Sequence, residues 1–181
     1  SLTHLSLSPP DIIVGIAASG VTPFVLGGLS FARKKKCSTI LFSCNPSAST
    51  DVEADIKVIA AVGPEVITGS TRMKAGTATK MFLNMLSTGA MVKLGKTYGN
   101  LMVDLRPQNA KLRDRSVRIL VALTNVGTEE AKKVLTSSGG DLKIALVMEL
   151  CGVGAERARE LLATHNNSVK DAVRNQAEAG R

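Results

Sequence analysis

Three short runs of aliphatic, largely β-branched residues constrain the fold most: Asp11 to Ala17 (DIIVGIA), Cys37 to Ser43 (CSTILFS) and Ile56 to Ala61 (IKVIAA). The first and last are apolar almost throughout, with no in-out alternation. That pattern belongs to strands covered on both faces, the situation of a parallel sheet sandwiched between helices. The first run leads into Ala18-Ser19-Gly20-Val21-Thr22-Pro23. Proline suits the first helical position and the preceding threonine suits the cap. Phe24, Val25, Leu26, Leu29 and Phe31 then recur helically to Arg33. The strand–helix–strand spacing predicts an α/β chain with a parallel sheet in three layers. Cys44 to Thr50 reads as a loop, and Asp51 to Ala54 as a short turn of helix.

In open sheets of this kind the ligand crevice lies outside the carboxyl ends of the strands. The hydroxyls of Ser19 and Thr22, with the backbone amides around Gly20, have the makings of a phosphate cradle there. The same look is common in strand-to-helix turns that bind nothing. Asn45 and the neighbouring serines, also at a strand end, are placed to line the crevice. There is no GxGxxG, so a dinucleotide fingerprint is absent.

From Gly63 to Met91 the sequence reads GPEVITGSTRMKAGTATKMFLNMLSTGAM. Gly63-Pro64 and Gly69-Ser70 are breakers, and Ser70 or Thr71 suits a helix cap. Beyond Thr71, the residues Met73, Ala75, Ala78, Phe82, Met85, Leu86 and Ala90 recur at helical steps. Small residues from Ala75 to Ala78 in the first turns leave room for a second backbone or a ligand. Ser70, Arg72 and Lys74 bring a hydroxyl and two cations to the positive end of a helix dipole, which suits an anion. An ordinary capped helix with solvated cations has the same composition.

The net charge is +8, but the cations are spread along the chain, and one Tyr with four Phe makes no stacking platform. Nucleic acid is therefore not an expected partner, whereas a small phosphorylated ligand is. Three cysteines without CxxC or metal spacing fit a reducing cytoplasm, and no metal is expected. No run approaches the roughly 18 apolar residues of a membrane span. The amino end, SLTHLSLSPPD, has neither an initiator Met nor a signal-peptide layout, and is expected to be an internal start of a longer chain.

Gly95 to Asn100 reads as a glycine-rich loop and Leu101 to Leu105 as extended. Pro107 and Asn109 open a helix whose cationic face (Lys111, Arg113, Arg115, Arg118) is expected to be solvated. A weak repeat follows at an offset of 27 residues: Thr128 to Leu146 against Ala155 to Val173, with Ala131/Ala158, Leu135/Leu162, Lys143/Lys170 and Ala145/Ala172 coinciding. Each copy reads helix, polar turn, helix. The expected interior of this bundle is Val134, Leu135, Ile144, Leu161, Leu162 and Val173. His165 reads as a turn residue. The expected division is residues 1–106 for the sheet domain and 107–181 for the helical part.

The stretch GPEVITGSTRMKAGTATKMFLNMLSTGAMVKLGKTYGNLMVDL, with IAASGVTPFV before it and NAKLRDR after it, resembles the N-acetylmuramic acid 6-phosphate etherase family. That family is in turn similar to the animal glucokinase regulatory protein, which binds phosphosugars on the same sugar-isomerase (SIS) fold without catalysis. The resemblance implies an SIS three-layer sandwich whose amino-terminal strand is missing here, then a small ubiquitin-associated-like helical subdomain. It implies a cytoplasmic homodimer, a phosphorylated amino sugar as ligand, no cofactor, and a lyase that cleaves the lactyl ether. By motif, Ser19, Gly20 and Thr22 match the phosphate loop and Ser70 a second sugar-phosphate contact. Arg72 and Lys74 lie in the same motif. Val21 stands where bacterial members are expected to carry Arg. The family's catalytic glutamates lie upstream of the strand that begins at Asp11, so this chain is expected to be inactive alone. Glu65, the glutamate within the motif, is left as a polar contact, a catalytic helper or a structural cap. Two other readings are a non-catalytic phosphosugar sensor and an oligomerisation module built on the terminal helices.

Overall fold

The computed structural model describes residues 2–49, 52–105, 107 and 109–179. The chain condenses into two compact units, Ser1–Leu86 and Ser87–Arg181.

The first unit holds three strands, β1 (Ile12–Ile16), β2 (Ser38–Ser43) and β3 (Ile56–Ile59), in the order β1-β2-β3 and all parallel. Helix α1 (Pro23–Lys34) crosses between the first two. Because successive strand residues point to opposite faces, Leu41 and Phe42 serve different layers. Leu41 is fully buried with Leu29 of α1, alongside Ile13, Val25 and Leu26. Phe42 packs on the other side with Ala75, Ala78 and Phe82 of α2 (Lys74–Lys93). The rings of Phe42 and Phe82 stack with centroids 4.4 Å apart. Helix, sheet and helix make the three layers that the apolar runs predict. Gly15 sets the closeness of the first layer, since a Cβ there would lie 2.8 Å from Val25 Cγ1 and 2.9 Å from Leu29 Cδ1.

At the opposite ends of the strands, the Asp55 carboxylate accepts from Thr39 N (2.7 Å) and Thr39 Oγ1 (2.8 Å), while Asp55 N donates back to that hydroxyl. The bonds from the Thr39 side chain and backbone hold the Asp55 carboxyl below its usual range. This reciprocal lock joins the start of β2 to the start of β3.

Two local expectations are corrected. Residues Pro46–Ser49 form a turn of 3-10 helix where a loop is expected, and Val52–Ala54 are not helical; Asp51 lies outside the described residues. The helical spacing of α2 is present, yet among its apolar residues Ala75 alone is buried, with Ala78 and Phe82 packed against the sheet. Met85 and Leu86, and Met73 just ahead of the helix, stay exposed. The reason is length: 20 helical residues run about 30 Å, whereas the six residues of β2 run only about 20 Å. The sheet offers a floor to the first turns only.

In the second unit a hairpin, β4 (Thr97–Tyr98) and β5 (Leu101–Met102), precedes five helices: α3 (Ala110–Thr124), α4 (Thr128–Ser137), α5 (Leu142–Cys151), α6 (Ala155–Thr164) and α7 (Val169–Ala179). The α4–α5 and α6–α7 pairs are the two copies of the sequence repeat. Val134, Leu135, Ile144, Leu161 and Leu162 are buried as expected, and Val173 packs half-buried against them. Asn109 caps α3 by accepting from Leu112 N, and Asp141 caps α5 by accepting from Lys143 N and Ile144 N. The cationic residues of α3 are exposed. His165 ends α6, with Nδ1 2.7 Å from Leu161 O.

Sequence patterning misses Lys143. It is 7% exposed, and its Nζ donates to Asn167 O at 2.8 Å and lies 3.6 Å from the Asp104 carboxylate. Lys96 pairs with the same carboxylate. The bond from Lys96, with Lys143 nearby, holds Asp104 below its usual range despite partial burial. A buried ammonium thus ties the hairpin's far end to α5 and to the turn between α6 and α7.

Candidate functional site

The residues with chemistry gather at the carboxyl ends of the parallel strands, where the β1–α1 turn, the segment after β2 and the segment leading to α2 begin. The β1–α1 turn is tightly made. Gly20 N donates to Ala17 O at 2.9 Å with φ +77°, so the chain reverses within three residues. Gly20 itself is buried, while Ser19 and Thr22 are exposed. Thr22 occupies the cap position of α1, and its side chain makes no capping bond. Pro23, the first residue of α1, has no amide hydrogen, and Val25 N (3.0 Å) and Leu26 N (3.1 Å) both donate to Thr22 O.

The next segment fixes that turn from outside. Asn45 Nδ2 donates to Ser19 O (3.1 Å), and Asn45 Oδ1 accepts from Ser47 N (3.1 Å). Ser43 Oγ donates to Ala18 O at 3.2 Å and accepts from Asn45 N at 3.1 Å. Cys44 N also donates to Ala18 O. Ser43 is fully buried, so its hydroxyl acts as an internal brace. Asn45 is the residue whose importance sequence reading places too low; its position at a strand end is the signal for it.

The third part overturns the expected cap. Helix α2 starts at Lys74, and neither Ser70 nor Thr71 caps it. Glu65 does so from nine residues upstream: its carboxylate accepts from Lys74 N (3.0 Å) and Ala75 N (3.1 Å). These two backbone bonds, Lys74's first, hold the Glu65 carboxyl below its usual range. A long-range cap wins because the carboxylate carries full charge to the positive helix end, where a hydroxyl offers only a dipole. The Cys44 thiol, 3.8 Å from Ala75 O, is pushed up by burial and by the Glu65 charge, so it stays protonated. Lys74 Nζ donates to Pro64 O at 2.9 Å. Gly76 is not demanded by crowding, since a Cβ there would meet Thr71 O at an ordinary 3.5 Å.

A chain of contacts therefore runs Ser19–Asn45–Ser43, Cys44–Ala75 and Ala75–Glu65 within the first unit. Ser19 and Gly20 belong to one end of it. Ser70 is half-exposed and Arg72 and Lys74 are exposed; no direct hydrogen bond joins them to Ser19, Gly20 or Thr22. Among the described residues, no group of three His, Cys, Asp or Glu is arranged to hold a metal ion, and no helix is long and apolar enough to cross a membrane. A hollow of about 610 Å³ in the second unit, between Pro107, Arg113, Leu135 and Asp141, contains none of the candidate residues. The strand-end arrangement presents the exposed Ser19 and Thr22 hydroxyls beside the Gly20 turn, with the Glu65 carboxylate committed to the α2 cap and Lys74 Nζ to Pro64 O.

No family model matches the chain. Among curated proteins, it is 52% identical over 147 residues to proteins named N-acetylmuramic acid 6-phosphate etherase from Salmonella paratyphi B, Salmonella schwarzengrund and Salmonella agona. The match covers 81% of this chain and 50% of each relative, so the chain spans about half the length of the curated relatives it matches. Such identity over four-fifths of the chain goes with the three-layer first unit and the motif around Glu65; over the residues it shares with these proteins, the chain belongs to the N-acetylmuramic acid 6-phosphate etherase family.

Proposed function

We propose that this chain forms the phosphosugar-binding part of a carbon–oxygen lyase that cleaves the lactyl ether of N-acetylmuramic acid 6-phosphate. The observation that carries the reading is the strand-end seat built on Ser19, Gly20 and Thr22 and braced by Asn45, in a chain of this family. The phosphate takes the Ser19–Thr22 turn and the Phe24 amide at the start of α1. Ser70 contacts the sugar phosphate as a second point, and Arg72 and Lys74 supply positive field.

In the open-chain sugar, the C2 proton is acidified by the neighbouring aldehyde. A base removes it, the C2–C3 double bond forms, and the C3–O bond breaks as an acid protonates the departing D-lactate oxygen. Water then adds at C3 to give N-acetylglucosamine 6-phosphate. The acid and base are glutamates that the family resemblance puts outside these 181 residues. Glu65 does not take either role in our account, because its carboxylate is held ionised on two backbone amides. The chain alone then binds the sugar phosphate without turning it over. We further assign the SIS fold to the first unit, a homodimeric state to the whole protein, and a place in the cytoplasmic recycling of cell-wall amino sugars.

The test is D-lactate release from N-acetylmuramic acid 6-phosphate. Release by the longer protein and none by the 181-residue chain is the expected result. Release by the 181-residue chain overturns the assignment of the acid and base. Phosphosugar binding with no release by the longer protein replaces the lyase with a phosphosugar sensor.

A further inference from the structure

The parallel ladder between β1 and β2 does not stop where the strands do. Its last paired residues are Ile16 and Phe42, yet Ala17 N still donates to Phe42 O and Cys44 N to Ala18 O, both at 3.0 Å. One residue further on, a side chain takes over the rung: Asn45 Nδ2 donates to Ser19 O at 3.1 Å. Ser43 adds a hydroxyl to the same row. Its Oγ donates to Ala18 O (3.2 Å) and accepts from Asn45 N (3.1 Å), and the residue is fully buried. The carbonyls of Ala18 and Ser19 are thus both held against the end of β2. Two donors hold the first, and the second is held by a side chain whose own backbone rests on Ser43. A peptide unit is planar and trans, so its N–H points away from its C=O. Fixing Ala18 O on β2 therefore turns the Ser19 N–H away from β2, while Gly20 N closes the turn on Ala17 O at 2.9 Å. The amides of Ser19, Thr22 and Phe24 have no acceptor among the described residues. A turn whose Ala17, Ala18 and Ser19 carbonyls are taken and whose neighbouring amides are free presents positive partial charge.

We propose that Ser43 and Asn45 are positioning residues for the phosphate: they touch no ligand, and they set its affinity by holding the Ser19 and Gly20 peptides in the binding orientation. This rests on the phosphate reading of the β1–α1 turn and deepens it, by placing the preorganisation in the end of β2 rather than in the turn. A short turn through Ser19 and Gly20 has many conformations open to it, Gly20 above all. The rungs from Ser43 and Asn45 remove that freedom when the chain folds, so it is not lost again when the ligand arrives.

The experiment is calorimetric titration of the 181-residue chain with N-acetylglucosamine 6-phosphate and with inorganic phosphate, at a temperature where every variant is folded. The amide NMR shifts of Ser19 and Gly20 are recorded alongside, without ligand. Asn45→Ala and Ser43→Ala should each move those shifts and weaken both ligands by the same factor, about threefold to tenfold, the scale of one hydrogen bond. Because Asn45 N bonds to Ser43 Oγ, the double variant should lose less than the product of the two factors. Ser43→Thr keeps the hydroxyl and should recover most of the affinity and the original shifts. Unchanged affinity for both ligands in the two alanine variants overturns the positioning role and leaves the phosphate site standing. A loss confined to the sugar phosphate makes these residues sugar contacts and overturns it as well. So does an equal loss in Ser43→Thr with the amide shifts unmoved. Failure of the unaltered chain to bind either ligand overturns the phosphate reading itself, and the positioning role with it.

Discussion

Asn45 and Glu65 show how single side chains convert a generic turn into a shaped site. Asn45 spans from Ser47 N to Ser19 O, so Asn45→Ala frees the β1–α1 turn that we propose holds the phosphate. The expected outcome is a threefold to tenfold loss of phosphosugar affinity, about 1 kcal/mol or one hydrogen bond's worth, with the urea midpoint of the chain nearly unmoved. Glu65 adds a pH dependence. Its folded-state pKa is depressed, so its contribution is fully present above the ordinary glutamate range and is lost as pH falls through the folded value. Asp55, bonded to Thr39, carries the same sign. Chemical denaturation between about pH 6 and 3, the carboxylate window, should show Glu65→Gln and Asp55→Asn each flattening part of the acid-side fall. Gly15 is a different kind of residue constraint. Gly15→Ala drives a methyl into Val25 and Leu29 and should cost about 1–3 kcal/mol in a urea titration. The sequence points to Asn45 and Glu65 without their partners, and does not point to Gly15 at all. Gly15 lies in a run that reads as strand whatever its size, and the partners of Asn45 and Glu65 are 26 and up to 10 residues away, beyond the reach of local spacing.

Elements were far more legible, because each is set by a local period and a local cap. The three apolar runs are the three strands, Pro23 is the first residue of α1, and the repeat is two helix pairs. The Asp141 cap on α5 can be tested directly: Asp141→Ala should lower stability by about 1 kcal/mol, with Asp141→Asn recovering most of it. What local patterning misses is the price-free disguise of a polar residue in a core. Lys143 sits in an apolar stretch, LKIALV, yet it is buried because the Asn167 carbonyl and the Asp104 carboxylate receive its ammonium. Asp104→Asn should destabilise the second unit by about 1 kcal/mol, discounted for the half-exposed carboxylate, and Lys143→Met should be milder than Lys143→Ala. Helix α2 illustrates the converse. Its spacing correctly predicts a helix, but periodicity does not say how much floor the sheet provides, and the packing against the sheet ends at Phe82.

At the scale of the whole molecule, the chain combines a net charge of +8 with a proposed anion site whose neighbouring carboxylate, Glu65, is occupied in a helix cap. The field favours a phosphorylated ligand and should weaken with salt, since exposed charges are screened beyond about 8 Å at physiological ionic strength. Family membership over the shared residues follows from the comparison with the Salmonella proteins. The most direct measurement is a calorimetric titration of the 181-residue chain at low salt with N-acetylglucosamine 6-phosphate and, separately, with N-acetylglucosamine. The account predicts saturable one-site binding of the phosphorylated sugar, lost in Ser19→Ala with Thr22→Ala, and no measurable binding of the sugar without its phosphate. Equal binding of the two sugars, or unaltered binding in the double variant, would contradict it.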